Sequence, residues 1–158
     1  MITFDRDRQR FNYRVAAVIL DRGRVLLHRA EHDDFWVLPG GRAELMEPAT
    51  ETIRRELREE LGVEARVERL LWVVENFFSY ADYAFHELAL YFLVELAPDS
   101  PLRRQSVFDG REAQERLIFR WFDLATLERV RLFPSFLRTA LRSLPATVRH
   151  IVHTDAPG

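Results

Sequence analysis

The stretch LPGGRAELMEPATETIRRELREELGV, Leu38 to Val63, decides the fold. It opens as the end of an extended run at Leu38-Pro39 and passes through Gly40-Gly41, where the missing Cβ lets backbone approach a ligand closely. From Pro48 to Leu61 the signals are those of a helix. Pro48 at the first helical position is pre-organised, Glu51 lies in the positive first turn, and Gly62 is placed to end the helix in a left-handed conformation. At about 100° per residue and with Glu56 at zero, Glu59 falls near −60°, Glu60 near +40° and Arg55 near −100°. Ile53, Leu57 and Leu61 occupy roughly +60° to +140°, so three carboxylates share one arc beside the apolar stripe.

Like charges at (i, i+3) and (i, i+4) destabilise a helix by a few tenths of a kcal/mol even in water, and more at the edge of a core. A solvated helix laced with ion pairs explains part of the pattern, because Glu51 reaches Arg54 and Arg55, and Arg55 reaches Glu59. Glu56 and Glu60, however, have no basic residue four positions away in the helix. A hard divalent cation suits such a set, since Mg²⁺ and Mn²⁺ prefer carboxylate, carbonyl and water oxygens. A free carbonyl in the glycine loop could join them.

Outward from the helix, Tyr13–Leu20 and Arg24–His28 read as a hairpin around Asp21–Gly23, and Phe35–Leu38 as a short extended piece. Ala65–Phe78 and His86–Glu95 read as long strands separated by Ser79–Phe85. Ala97–Arg104 and Phe108–Gln114 read as loops, Leu117–Phe122 as a strand, and Leu124–Val130 and Ser135–Leu144 as helices. This mixture predicts an α/β (α+β) sandwich, and no linker or repeat divides residues 1–158, so a single domain is expected. The 158 residues are 47% apolar and 30% charged, which excludes a disordered or collagen-like chain. With no cysteine there is no disulfide framework, thiolate metal site or cysteine nucleophile. A net charge of −2 points to neither nucleic acid nor an anionic membrane. The start, Met1 to Phe11, lacks an apolar signal core, and the longest apolar stretch, Leu88 to Leu96, is far short of the ~20 residues that cross a bilayer, so a cytoplasmic setting is expected. All basic residues are Arg, a chain-wide bias that earns no single Arg a functional role.

Gly41–Val63 resembles the Nudix hydrolase signature G-x5-E-x7-R-E-U-x-E-E-x-G-U, where U is aliphatic. Each specified position is met, by Gly41, Glu47, Arg55, Glu56, Leu57, Glu59, Glu60, Gly62 and Val63. An accidental match at a given start has odds on the order of one in a billion at average residue usage. Met46 departs from many members, which place Gly there. The resemblance implies an α/β/α sandwich with a mixed sheet and a loop-helix-loop carrying the chemistry. It implies Mg²⁺ or Mn²⁺ held by Glu56, Glu59 and Glu60, with the carbonyl of Gly40 added, and Arg55 orienting the carboxylates. Gly41, Glu47 and Gly62 take structural roles in it.

The implied activity is hydrolysis of a pyrophosphate bond in a nucleoside diphosphate linked to another moiety. A carboxylate must then take a proton from water; Glu56, Glu112, Glu115 and Glu87 are the candidates, with Glu115 favoured. Arg29, Trp36 and Phe78 are the candidates for gripping phosphate and base. Phe77, Tyr80, Tyr83 and Phe85 fit core packing, as His150 and His153 fit structural or exposed positions. The competing reading is a regulatory module that binds a nucleotide or sugar phosphate without turnover; isomerase and mRNA-decapping activities are further alternatives, the latter disfavoured by the lack of a basic flank. The partner expected is a small nucleotide derivative, with neither nucleic acid nor membrane, and the aromatic strands offer surface for a homodimer.

Overall fold

In the computed structural model, described for residues 1–112 and 115–156, the order is β1 (Thr3–Arg6), β2 (Gln9–Asp21), β3 (Arg24–Ala30), β4 (Gly40–Arg42), α1 (Ala49–Leu61), β5 (Ala65–Tyr80), β6 (Tyr83–Leu96), β7 (Val107–Glu112), β8 (Glu115–Asp123), α2 (Leu137–Ala140) and β9 (Arg149–Thr154). Strand order is β7-β8-β3-β2-β6-β5-β9, with β1 and β4 also pairing β2. The sheet is mixed, because β2 runs parallel to β6 and antiparallel to β3.

β2 alternates in both directions. Val15, Ala17 and Ile19 pack with Ile53 and Leu57 of α1, while Ala16 and Val18 pack with Leu127, Leu132 and Leu137 on the α2 side. Burial on both faces is why Val15–Ile19 is a continuous apolar run. The expected three-layer sandwich is present, with a thin second helical layer. The helices expected at Leu124–Val130 and Ser135–Leu144 are a 3₁₀ segment, Leu124–Arg129, and the single turn of α2.

The sheet forks at β2. Its ladder to β3 contains only Leu20↔Val25 and Asp21↔Arg24, beyond which the strands separate. The glycine segment fills the fork: Val37 bridges to His28 of β3, the Ala17 amide donates to Pro39 O at 2.8 Å, and Gly40 and Gly41 pair with Ala16 and Val15. Phe35–Leu38 is therefore reduced to the isolated bridges of Trp36 and Val37 rather than a strand. The supposed connection Ser79–Phe85 is mostly strand, since β5 and β6 meet at a tight turn on Ala81 and Asp82, both with positive φ. Phe108–Gln114 was expected as a loop, but Val107–Glu112 is β7, paired with β8; 113–114 lie outside the described residues.

α1 begins one residue later than expected. Pro48, with φ −62° and ψ 147°, caps the helix rather than opening it, and Gly62 ends it at φ 67° with its amide on Arg58 O. Met46 adopts φ 66° and is fully exposed, a left-handed position that Gly takes without steric cost. Among the described residues no helix is long and apolar enough to cross a membrane.

Leu57 has no exposed surface at the centre of the α1 face. Leu57→Ala is expected to lower unfolding stability by about 2–5 kcal/mol in urea titration. A loss below about 1 kcal/mol would mean that α1 does not depend on this packing.

Candidate active site

The helix presents its carboxylates in two directions. Thr52, Glu56 and Glu60, spaced four apart, lie on the buried side, Glu56 at 7% and Glu60 at 4% exposure. The side chain of Glu59 is 59% exposed. The arc expected to hold three carboxylates together is thus split, because the β4 and β7 flank of α1 covers the 52-56-60 row.

Two glycines make room for the inward pair. A Cβ on Gly41 would lie 2.3–2.6 Å from the carboxyl atoms of Glu56. A Cβ on Gly110 would lie 2.7 Å from Glu60 O, so β7 passes against the end of α1. That passage delivers Glu112. One carboxylate oxygen from each of Glu56, Glu60 and Glu112 lies within 4.8 Å of the others.

Arg55 is the counterweight. Its Nε and Nη2 donate to Glu47 Oε2 and Oε1 at 2.8 and 3.1 Å, and Nη1 donates to Glu56 Oε1 at 2.8 Å. Nη1 also reaches Glu59 Oε2 at 3.3 Å, and Nη2 donates to Arg42 O at 3.1 Å. Glu47 receives further bonds from the Thr52 hydroxyl at 2.7 Å and the Glu44 amide at 3.1 Å. The Arg55 guanidinium, with Thr52 and the Glu44 amide, holds the Glu47 carboxyl down to about 2 against the effect of burial.

Glu60 is left over. No N–H or hydroxyl group of the described residues donates to either of its carboxylate oxygens, and the Glu56 carboxyl is the one group within hydrogen-bonding reach that shapes its titration. Burial first, then the charges of Glu56 and Glu112, push its pKa well above the ordinary carboxylate range, with Arg14 opposing. Burial also raises Glu56, where Arg55 opposes. Orphaned, buried, mutually repelling oxygens fit a hard divalent cation.

Other expected residues lie elsewhere. Glu115 is the first residue of β8 rather than part of a loop, and its Oε1 is 3.5 Å from His32 Nδ1, outside the group of three. Gly40 is held in the β4 pairing with Ala16. Arg29 and Trp36 come together, with the guanidinium 5.5 Å from the ring centroid, but Arg29 Nη1 is engaged by the carbonyls of Ala30, Glu31 and Asp33. Phe78 stacks on Phe85 at 4.8 Å in the β5–β6 hairpin. Glu87 is buried in register between Asn12 of β2 and Asn76 of β5, a polar row on the α2 face. His150 pairs with Glu75 at 2.7 Å, and His153 contacts Ser135 Oγ and Asp155 at 3.1 and 3.0 Å.

Sequence reasoning missed Arg14. Its Nη2 donates to Leu38 O at 2.7 Å, and its charge acts on Glu60, on Glu87 and on buried His28, whose pKa burial and Arg14 together push down to about 3. The one signal was a lone charge inside the apolar run Tyr13–Leu20.

A forked mixed sheet, a helix with inward glutamates and an arginine clamp across Glu47 and Glu56 have relatives among known proteins. The NUDIX domain family matches residues 10–144 as a sequence profile, and the chain belongs to that family. The fold is similar to that of an ADP-ribose pyrophosphatase from Streptococcus suis 89-1591, at a TM-score of 0.60 and 15% identity over 89% of this chain and 98% of that one. A MutT NUDIX hydrolase from Burkholderia pseudomallei is 30% identical, with a TM-score of 0.53 over 73% of this chain and 84% of that one. A curated relative from Bacillus subtilis (strain 168), named "Putative ADP-ribose pyrophosphatase YjhB", is 34% identical over 62 residues. That match spans 39% of this chain and 30% of the relative.

The Glu47–Arg55 clamp has a pH signature. Because the folded value of Glu47 is depressed, its contribution is complete above the unfolded value near 4.5 and is lost as pH falls toward about 2. Glu47→Gln is expected to cost on the order of 1–2 kcal/mol at pH 7, after allowance for solvent screening, and little at pH 2. Equal losses at both pH values in thermal unfolding would remove the clamp from the account of stability.

Proposed function

We propose that this chain is a cytoplasmic, Mg²⁺- or Mn²⁺-dependent hydrolase that cleaves the pyrophosphate bond of a nucleoside diphosphate linked to another moiety. The observation that carries the reading is Glu60: a buried carboxylate that no N–H or hydroxyl donor reaches among the described residues, facing two more carboxylates. Family membership and the names of the relatives support the reaction class and make ADP-ribose the first substrate to test.

Glu56, Glu60 and Glu112 would hold the cation, with Gly40 O and Glu59 as further oxygen donors. When bound, a divalent ion neutralises diphosphate oxygens and lowers the pKa of water. The chain's own residues do the rest. Arg55 fixes Glu56 by a charge-assisted bond and shares its remaining donors with Glu47, so the helix register stays locked to the loop before it. Gly41 leaves the space into which the Glu56 carboxylate fits. The charge of Arg14 opposes the upward shift of Glu60. Glu112, the exposed member of the group, is the carboxylate best placed to take the proton of an attacking water. Glu115, beside His32, is assigned no proton transfer.

Glu60→Gln separates fold from function. Since the folded pKa of Glu60 is raised, the metal-free protein loses stability as pH climbs above the ordinary carboxylate range, and Gln removes that loss. The variant is expected to melt higher than wild type without metal at pH 7 and to show little of the rise in Tm that Mg²⁺ gives wild type. Its turnover should fall by roughly two orders of magnitude or more. Turnover is read by chromatographic detection of the phosphate-monoester or pyrophosphate products from ADP-ribose, nucleotide sugars, dinucleoside polyphosphates, dinucleotide cofactors and damaged nucleoside triphosphates, with Mg²⁺ and with Mn²⁺. Wild-type silence across that panel, or full activity in Glu60→Gln, overturns the proposal.

A further inference from the structure

On the α2 side of the sheet lies a groove of about 450 Å³, lined by Trp36, Phe122, Thr126, Arg120, Arg129 and Arg131 among its residues. It shares no lining residue with the carboxylate group. Phe122 belongs to the core beneath α2, and Arg120, two residues earlier on β8, emerges on the same face.

The walls are fixed by backbone. The Trp36 amide donates to Arg131 O at 2.8 Å, the Phe133 amide donates to Trp36 O at 3.0 Å, and Trp36 bridges to Leu132. The Trp36 ring meets Phe122 edge to face at 4.8 Å and carries Arg29 at 5.5 Å, so its surface is committed to packing. Groups left facing the groove are therefore cationic N–H donors rather than a stacking platform.

The charge is one-sided. The groove holds three guanidiniums and no carboxylate, in a chain whose net charge is −2. Arg131 has Asp34 at 3.6 Å, whereas Arg120 lies over Phe122 at 4.7 Å and, like Arg129, forms no ion pair among the described residues. Two exposed, uncompensated guanidiniums beside a third present forked donors whose geometry matches phosphate oxygens. This is the electrostatic converse of the Glu56–Glu60–Glu112 group, in which negative charge is uncompensated.

We propose that the Trp36–Arg120–Arg129–Arg131 groove binds a phosphate-bearing anion, as bare pyrophosphate or as the phosphate monoester of a nucleotide, at a second site apart from the carboxylates. The inference stands independently of hydrolysis and is tested without it. Wild type in EDTA is titrated by calorimetry with inorganic pyrophosphate and, separately, with AMP; with no metal present the acidic group repels both. Saturable binding is expected for at least one, weakening severalfold between 50 and 200 mM salt. The tighter ligand distinguishes a bare phosphate source from a nucleotide one. The double variant Arg120→Gln/Arg129→Gln should weaken that binding at least tenfold, as should Arg129→Gln alone by a smaller factor, while Glu60→Gln leaves it in place. Absence of saturable binding to wild type, or unchanged binding in the double variant, overturns the proposal.

Discussion

The guanidinium of Arg55 is the constraint around which the site is arranged. It donates to both oxygens of Glu47, to Glu56, to Glu59 and to the Arg42 carbonyl, joining the segment after β4 to the second and third turns of α1. Lys could not substitute, because a point ammonium cannot span a two-oxygen acceptor and a third carboxylate in one plane. The fork fixes the Glu56 carboxylate in the space that Gly41 leaves open. Being spent on Glu47, Glu56 and Glu59, it has nothing to give Glu60. The residual charge on the inner face of α1 follows from how this one side chain distributes its donors.

The fork in the sheet supplies the rest of the geometry. Had β2 and β3 stayed paired beyond Val25, the glycine segment would have no edge to join, and β4 could not hold Gly41 beneath the helix. The same divergence leaves Arg14 able to reach Leu38 O and act on both Glu60 and Glu87. β7 completes the arrangement from the opposite side, since Gly110 permits a backbone approach to the last turn of α1 that any side chain would block.

Local signals were legible where they were strong and self-contained. Gly62 ends α1, the hairpin around Asp21–Gly23 forms, and the apolar stripe of Ile53 and Leu57 is buried. Features set by partners distant in sequence were not. β9 has Val152 exposed and an unremarkable composition, and becomes a strand because the β5 edge offers Trp72 to Phe77 as a template. Phe108–Gln114 has turn chemistry in Asp109-Gly110, yet β8 recruits Val107–Glu112 as a ladder. That Glu112 and not Glu115 lies with Glu56 and Glu60 was beyond the sequence for the same reason. The two face each other across one hairpin, and only the passage of β7 against α1 brings the first to the helix. Angular arithmetic placed Glu59 with Glu56 and Glu60, but could not show that β4 and β7 cover only the 52-56-60 row.

Asp21 shows how differently this fold treats another of its buried carboxylates. Asp21, at 8% exposure, is nearly as buried as Glu60, and burial alone would raise its pKa. Arg24, Arg103 and Arg22 converge on it, at 2.7, 2.7 and 3.2 Å, and drive the value below normal. A chain with 23 arginines thus neutralises a buried acid thoroughly where the acid serves only to tie β2 and β3 to the Pro101–Arg104 segment. At Glu60 it does the reverse, packing two more carboxylates nearby and keeping Arg14 as the opposing charge. Unpaired buried charge is destabilising, and a protonated or amide side chain at that position relieves it. Glu60 is thus the opposite of the Asp21 ion pair: its carboxyl is held among like groups, which disfavour its ionised form.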